Sequence, residues 1–249
     1  MNLPLLHPPI PSCMSCDLHN QGDGIPKSVG IPTRHLDTSL PPLSSNPALI
    51  YVGRNPGAQE DERGQFFVGK SGHLLQASII GGISAQSKAS IYLTNAVKCY
   101  TVNNDNPPAR SYTACSTYLL SDIISILTHH KDAAVRVLVL LGGEAVKYVH
   151  ERVLAVRGLS LKKGFSDQLQ CYNSVIDPDT APIKGQPRPH ISVPSFRVIC
   201  MYHPSFLLRN PNAIHPTVGH NQLVLDALSG ISVAPTPPVI EPTRPPATN

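Results

Sequence analysis

Tryptophan is absent from this chain of 249 residues, and charged side chains make up only 14% of it. No apolar run reaches the roughly 20 residues that a membrane-spanning helix needs, so we expect no membrane contact. The N-terminus has neither a basic segment nor a long apolar one, and we expect no signal peptide. A secreted disulfide framework is therefore disfavoured, and the six cysteines become candidates for metal binding or catalysis.

The remaining composition is that of an ordinary globular protein. Apolar residues make up 41% of the chain, and its length suffices for one large α/β domain with a sizeable core. The formal net charge of +4 is compatible with a polyanionic partner but is weak evidence for one.

Predicted strands and helices alternate along the middle of the chain. Buried-strand patterns cover 48–52, 90–95, 135–141 and 196–201, and helical patterns cover 70–80, 111–130, 143–154 and 220–228. This alternation predicts a three-layer α/β/α sandwich around a central, mostly parallel, four-stranded sheet.

The ends of the chain differ from this middle part. Residues 1–46 are predicted to form an irregular N-terminal arm packed on a core domain of residues 47–230. Residues 231–249 are Pro-rich and are predicted to be a disordered tail. Within the core domain, the Gly- and Pro-rich stretch 158–194 is a long excursion to which we assign no structure.

Four cysteines form the most informative pattern. Cys13 and Cys16 make a CxxC in the arm, whereas Cys99 follows a predicted strand and Cys115 lies in a predicted helix. A redox dithiol needs only the CxxC, but a closed four-thiolate site needs all four residues together. The spacing alone fits a structural zinc site as well as an iron–sulfur cluster.

Polar side chains stand where predicted strands end. Asn55, Asn95 and His203 each lie at or just past the carboxyl end of a strand, which is where open α/β sheets bind ligands. Asn55 can hold a water molecule or serve only as a turn residue. Phe67 can offer a stacking face or belong to the core.

The segment 203–210, HPSFLLRN, allows two interpretations. Leu207 and Leu208 beside the basic Arg209 suggest a loop whose leucines enter a DNA duplex as a wedge. Alternatively, the segment begins a helix with Ser205 as its N-cap, and the leucines lie in the core.

Several motifs follow one another in a fixed order. They are CxxC at 13–16, GRNPGAQED at 53–61, FVGKSG at 67–72, TNAVKC at 94–99, Cys115, VLVLLGGEA at 137–145, RG at 157–158 and HPSFLLR at 203–209. In this order they resemble the uracil-DNA glycosylase superfamily, most closely its iron–sulfur family 4 branch, over nearly the whole chain from Cys13 to Leu228.

The resemblance implies a cofactor. Cys13, Cys16, Cys99 and Cys115 match the four ligands of a [4Fe–4S] cluster, which would clasp the arm to the core without joining the chemistry. Zinc is the alternative. The two other cysteines, Cys171 and Cys200, match no ligand.

The resemblance also implies roles in base excision. Phe67 matches the aromatic residue that stacks on a base flipped out of DNA, opposite the loop that carries Gly53 and Arg54. Asn95 matches the residue that reads the pyrimidine edge, and His203 the one that stabilises charge on the departing base.

Further matches concern water and DNA. Asn55 resembles the water-positioning residue of the mismatch-specific branch. Ser205, Leu207 and Arg209 match the loop that enters the minor groove and holds the strand open.

The chain departs from the family pattern at several places, including the position around Asp105, where an arginine is expected, and the stretch from Arg157 to Phe196, which is longer than usual. Arg54 replaces an acid, Asn55 follows it in place of a small residue, and Phe66 stands where the family usually has proline. Glu60 is either a general base or a brace for the loop. Residues 101–110 contain no histidine, so covalent trapping of DNA is not expected, and no lysine matches a lyase position.

These observations predict a monofunctional DNA glycosylase that removes uracil and leaves an abasic site. We expect it to act as a monomer on DNA in the cytoplasm, at the nucleoid. Alternatives are a glycosylase for a modified pyrimidine in phage DNA, a non-catalytic DNA-binding homologue, and a zinc-stabilised nucleotide-binding module.

Overall fold

The computed structural model describes residues 13–19, 33–36, 43–153, 171–174 and 195–230. Most of the predicted arm, nearly all of the excursion 158–194, the RG motif at 157–158 and the predicted disordered tail 231–249 lie outside these residues.

One sheet forms the centre of the described structure. Its strands are β1 (Arg34–His35), β2 (Ala48–Gly53), β3 (Ser90–Asn95), β4 (Arg136–Leu141), β5 (Cys171–Ser174) and β6 (Phe196–Met201), in the order β1-β3-β2-β4-β6-β5. The four inner strands are parallel, which confirms the predicted four-stranded core. Two short antiparallel strands, β1 and β5, extend it at the edges.

Helices cover both faces of this sheet. They are α1 (Ala58–Arg63), α2 (Lys70–Leu74), α3 (Gly81–Gln86), α4 (Ala109–His129), α5 (Gly143–Arg152), α6 (Pro204–Arg209) and α7 (Ile214–Leu228). A π-helical turn, Leu75–Ile80, joins α2 to α3, so the predicted helix 70–80 continues to Gln86. Helix α7 begins six residues before the predicted start at 220.

Burial explains why the inner strands are so easily recognised. Every residue of β2, β3 and β4 is buried, as expected of parallel strands covered on both faces. Alternate residues of these strands belong to two separate apolar clusters, one with α4 and α5 and the other with α2, α3 and α7. The three-layer α/β/α arrangement is therefore confirmed.

A buried polar network joins the arm to this core. Nζ of Lys98 lies 2.8 Å from Oδ2 of Asp122, and both side chains are at least nine-tenths buried. Oγ1 of Thr33 lies 2.6 Å from the same carboxylate oxygen and 2.7 Å from Oγ1 of Thr94. Because Cys99 follows Lys98, the network lies beside the candidate metal ligands.

Among the described residues, no helix combines the length and the apolar character that crossing a bilayer requires.

Candidate active site

A cavity of about 360 Å³ lies at the carboxyl edge of the sheet. It is lined by Arg54, Asn55, Gly57, Glu60, Phe67, Ser71, Asn95, Asn104, Leu141, Gly142, Gly143, Glu144, His203, Ser205 and Arg209. Most of the residues singled out from the sequence therefore meet in one place, as the position of three of them at strand ends predicted.

Strand register sets the floor of the cavity. Gly53 ends β2 and pairs with Asn95 at the end of β3. A Cβ atom at position 53 would overlap Oδ1 of Asn95 and lie 2.9 Å from Cζ of Phe67. Glycine is therefore needed here because two side chains of the cavity occupy the space next to its backbone.

Phe67 forms one wall in an uncommon backbone conformation. Its φ is 58°, in the left-handed region that bulky side chains rarely adopt. Gly72 packs so closely that a Cβ there would overlap the backbone of Phe67, and Nε2 of Gln76 donates to the Phe67 carbonyl at 2.6 Å. The ring is 5% exposed and packs on the apolar cluster, so it is both a core residue and a cavity wall.

His203 occupies another wall with a defined tautomer. Its Nδ1 accepts a hydrogen bond from the backbone N–H of Ser205 at 3.1 Å, so a neutral ring carries its proton on Nε2. Burial, followed by the positive charges of Arg54 and Arg209, lowers the pKa of His203 to about 4. The ring is therefore a neutral donor near pH 7.

Gly142 makes room for this imidazole. It has a φ of 84°, and a Cβ there would lie 3.0 Å from Cβ of His203. Its N–H donates to the carbonyl of Met201 at 2.8 Å, which fixes the ends of β4 and β6 side by side.

The second polar residue predicted at a strand end, Asn55, is held at both ends of its carboxamide. Its Oδ1 accepts from Nε of Arg54 at 2.7 Å. Its Nδ2 donates to the carbonyl of Pro56 at 3.0 Å and to Oγ1 of Thr101 at 3.2 Å. These partners determine which atom of the amide is the oxygen.

Glu60 braces the loop that precedes Phe67. Its carboxylate accepts from three backbone N–H groups, those of Gly57 at 3.1 Å, Val68 at 2.9 Å and Gly69 at 2.6 Å. A carboxylate committed to three amides is poorly suited to abstract a proton, which favours the bracing interpretation over the general base.

The segment after β6 corrects the expected DNA-entering loop. It forms helix α6, capped by His203 rather than by Ser205, with Pro204 in its first turn. Leu207 is 4% exposed and packs in the core, whereas Leu208 is 50% exposed. Arg209, at the end of this helix, lines the cavity.

Three polar side chains that line the cavity, those of Ser71, Asn104 and Glu144, were given no role on the basis of the sequence. The position of Glu144, in the first turn of a helix after a strand at the carboxyl edge, was a usable signal. No sequence pattern singled out the other two.

The cysteines converge about one part of α4. Cys16, Cys99 and Cys115 belong to one buried cluster, and Cys13 is hydrogen-bonded to the side chain of Tyr118, one turn beyond Cys115. Burial raises the pKa of Cys115 to about 12, with smaller contributions that include Cys99 and Cys16. Among the described residues, no three His, Cys, Asp or Glu side chains stand in a geometry that holds a metal ion. The donor set, four thiols from the arm and the core, nevertheless suits an iron–sulfur cluster or zinc.

The sequence is similar to a known protein family and to several of its members. Residues 41–226 match the family model described as the uracil DNA glycosylase superfamily. The type-4 uracil-DNA glycosylase of Archaeoglobus fulgidus is 25% identical over 81% of both chains, and that of Thermotoga maritima is 27% identical over 81% of this chain and 80% of its own.

Another relative has a higher sequence identity over a shorter aligned segment. The type-4 uracil-DNA glycosylase of Saccharolobus solfataricus is 33% identical, but the match spans 44% of this chain and 47% of that protein, under half of its length. The family model covers well over half of the chain, and the similarity falls on the type-4 branch. This chain belongs to the uracil DNA glycosylase superfamily.

Proposed function

We propose that this protein is a monofunctional glycosylase that flips uracil out of DNA and hydrolyses its N-glycosidic bond, leaving an abasic site. The observation that carries the proposal is the meeting of Asn55, Phe67, Asn95 and His203 in one cavity at the carboxyl edge of the sheet. The names of the type-4 relatives support it.

Base selection falls to Asn95 and Phe67. The Asn95 amide offers one donor and one acceptor, which suit O4 and N3–H of uracil and oppose the reversed pattern of cytosine. Phe67 offers the aromatic face on which the flipped base stacks. Its backbone conformation is fixed before substrate arrives, since Gly72 packs against its backbone. Flipping the base costs a few kcal/mol, which these contacts must offset.

Bond cleavage falls to His203. As the C1′–N1 bond breaks, negative charge accumulates on the pyrimidine, in part on O2. A neutral imidazole with its proton on Nε2 donates to that oxygen, which is the logic of an oxyanion hole applied to a base anion. Asn55 holds the water that attacks C1′ of the oxocarbenium-like sugar. No lysine of the chain matches a position from which a Schiff base would form, so we propose no lyase step.

DNA contact falls to helix α6. Arg209 supplies positive charge at the rim of the cavity, and the exposed Leu208 takes the wedge role first expected of Leu207. The backbone N–H of Ser205 fixes the tautomer of His203. We further propose that the protein acts as a monomer on chromosomal DNA, in the cytoplasm and at the nucleoid.

The four cysteines would hold a [4Fe–4S] cluster. Bound there, it would supply a covalent clasp between the arm and α4, and no catalytic group. Its thiolate ligands would come from both the arm and the core, so its role in this proposal is structural.

The test is a panel of duplexes that carry uracil, hypoxanthine, 5-hydroxymethyl or glucosylated pyrimidines at one position. Each is incubated with the protein and then treated with alkali, which cleaves at abasic sites. Scission on uracil alone, or much faster on uracil, is the expected result. Scission on a modified pyrimidine but not on uracil would contradict the proposal, and so would tight binding of every duplex without scission.

A further inference from the structure

Arg54, which replaces an acid of the family pattern, is held on every nitrogen of its guanidinium. Nε lies 2.7 Å from Oδ1 of Asn55. Nη2 lies 3.0 Å from the carbonyl oxygen of Asn104 and 3.3 Å from its Oδ1, and Nη1 donates to Oδ1 of Asn106. A planar fork with fixed donors makes this set of contacts, and a lysine cannot reproduce it.

One end of this fork determines the orientation of Asn55. Because Arg54 engages Oδ1 while Pro56 and Thr101 engage Nδ2, a flipped amide would place Nδ2 against the guanidinium. The hydroxyl of Thr101 donates to the carbonyl of Asp105 at 2.6 Å, so it is an acceptor for Asn55. One lone pair of Oδ1 remains for a water molecule.

The other end of the fork holds a turn in an uncommon conformation. Asn103 and Asn104, in the short 3-10 turn Val102–Asn104, have φ values of 56° and 58°. Asparagine enters the left-handed region more readily than other non-glycine residues, but it does so as single residues, so two in succession need surrounding contacts to hold them. The bond from Arg54 to the Asn104 carbonyl is such a contact, and Asn104 lines the cavity.

We propose that Arg54 is a positioning residue that fixes the amide of Asn55 and pins the turn Val102–Asn104 as a cavity wall. It does not contact the base. This inference rests on the proposed function, because the amide of Asn55 matters only if it orients the attacking water. In this proposal, the two unusual residues Arg54 and Asn55 together orient the attacking water.

A competing explanation is that Arg54 acts through its positive charge, near His203 and DNA. Arg54→Lys separates the two explanations, because it keeps the charge and loses the fork, and Arg54→Met loses both. Arg209 is the matched control, because it also lines the cavity and its proposed role is charge toward DNA, so Arg209→Lys should retain most of the activity that Arg209→Met loses.

The first measurement is the single-turnover rate on a uracil duplex at saturating enzyme. We expect Arg54→Lys to lose about 10-fold or more, nearly as much as Arg54→Met, since misplacement of a reacting group is costly. In an Asn55→Ala background the same substitution should add less than about 2-fold, because residues that act as a unit are not additive. An Arg54→Lys rate within about 2-fold of wild type, or additive losses, would overturn the inference.

The second measurement does not depend on activity. Amide hydrogen exchange at Asn104 and Asp105, whose N–H groups bond to the carbonyls of Thr101 and Val102, reports opening of the turn. It should quicken about 10-fold in Arg54→Lys and Arg54→Met and stay unchanged in Arg209→Met. Unchanged exchange in both Arg54 variants would overturn this inference, whether or not the wild type is active. Inactivity of the wild type on every duplex would instead overturn the proposed function.

Discussion

The backbone N–H of Ser205 lies 3.1 Å from Nδ1 of His203 and donates to it, which leaves the imidazole proton on Nε2. In the proposed reaction, the Nε2–H of this ring donates to the departing base. Replacing His203 with alanine removes that donor, and we expect the single-turnover rate to fall by about 10²–10³, as for other donors that face developing charge. Binding of a uracil duplex, measured by fluorescence anisotropy, should change little.

Burial of His203 and the positive charges of Arg54 and Arg209 set the pH dependence of the reaction. The pKa of His203 is lowered to about 4, so the neutral donor is already fully formed at pH 7 and persists as the pH falls. We expect a single-turnover rate that is flat between pH 8 and about 5, measured where circular dichroism shows folded protein. A rate that rises as the pH drops through about 6.5 would show that the imidazolium is the active form.

The free energy of unfolding should also depend on pH, because three histidines, and not His203 alone, have pKa values that are lowered by burial. Burial lowers the pKa of His130, His203 and His220 to about 4 each, whereas an unfolded histidine titrates near 6.5. Between these values the unfolded chain binds more protons, so the free energy of unfolding falls as the pH drops from about 6.5 to about 4.

His130 offers a direct check of that dependence. Its Nδ1 donates to the carbonyl of Asn46 and its Nε2 accepts from the hydroxyl of Tyr92. His130→Gln removes the titrating group, so urea unfolding should show a shallower loss of stability on acidification. An unchanged slope would mean that His130 binds protons equally in the folded and the unfolded chain, which contradicts a lowered pKa.

The cysteines can be tested against a matched control. Cys115→Ser should lower the iron and sulfide content, the visible absorbance and the melting temperature together. Cys200, buried in the same apolar cluster but outside the four, should tolerate Cys200→Ala with its iron unchanged. If anaerobically prepared wild-type protein contains zinc and no iron, the four cysteines bind zinc and the cluster hypothesis is wrong.

Gly53 tests the geometry of the cavity floor. Gly53→Ala would drive a methyl group into Oδ1 of Asn95 and toward the ring of Phe67, so we expect a loss of about 10-fold or more in kcat/KM on uracil. Gly82→Ala is the control, because a Cβ there meets nothing within 4 Å and helical glycine costs about 0.5–1 kcal/mol relative to alanine. It should be fully active and slightly more stable. Equal activity of the two variants would mean that Asn95 yields without consequence.

The buried ion pair beside Cys99 should be structural. Lys98→Met leaves the Asp122 carboxylate buried without its cation, which typically costs about 3–5 kcal/mol of unfolding free energy. Chemical denaturation measures this loss. A cost below about 1 kcal/mol would show that Asp122 reaches water or another cation.

What the sequence could predict follows from the physics of each element. The inner strands were predicted to within a residue or two because buried parallel strands carry continuous apolar runs. Since carboxyl ends of parallel strands share one edge, the meeting of Asn55, Asn95 and His203 followed from their positions alone. Strand β1 has only two residues, which is too short for a continuous apolar run, and the sequence did not predict it.

Other features depend on tertiary contacts. Helix α6 was open to two interpretations because histidine is not among the preferred N-cap residues, and the cap was assigned to Ser205. Because the sequence leaves a helix and a loop both open here, it does not tell which leucine faces solvent. The task of Arg54 was equally hidden, because its partners Asn104 and Asn106 stand about fifty positions away.

Uracil excision is tested most directly by the release of free base from a duplex with radiolabelled uracil at one position, compared with the same duplex carrying labelled cytosine. We predict free uracil, an intact strand with an abasic site, and no release of cytosine. We also predict that uracil release is lost in Asn95→Ala while the duplex still binds. Uracil release that survives in Asn95→Ala and His203→Ala, or none from the wild type with its cofactor intact, would contradict these predictions.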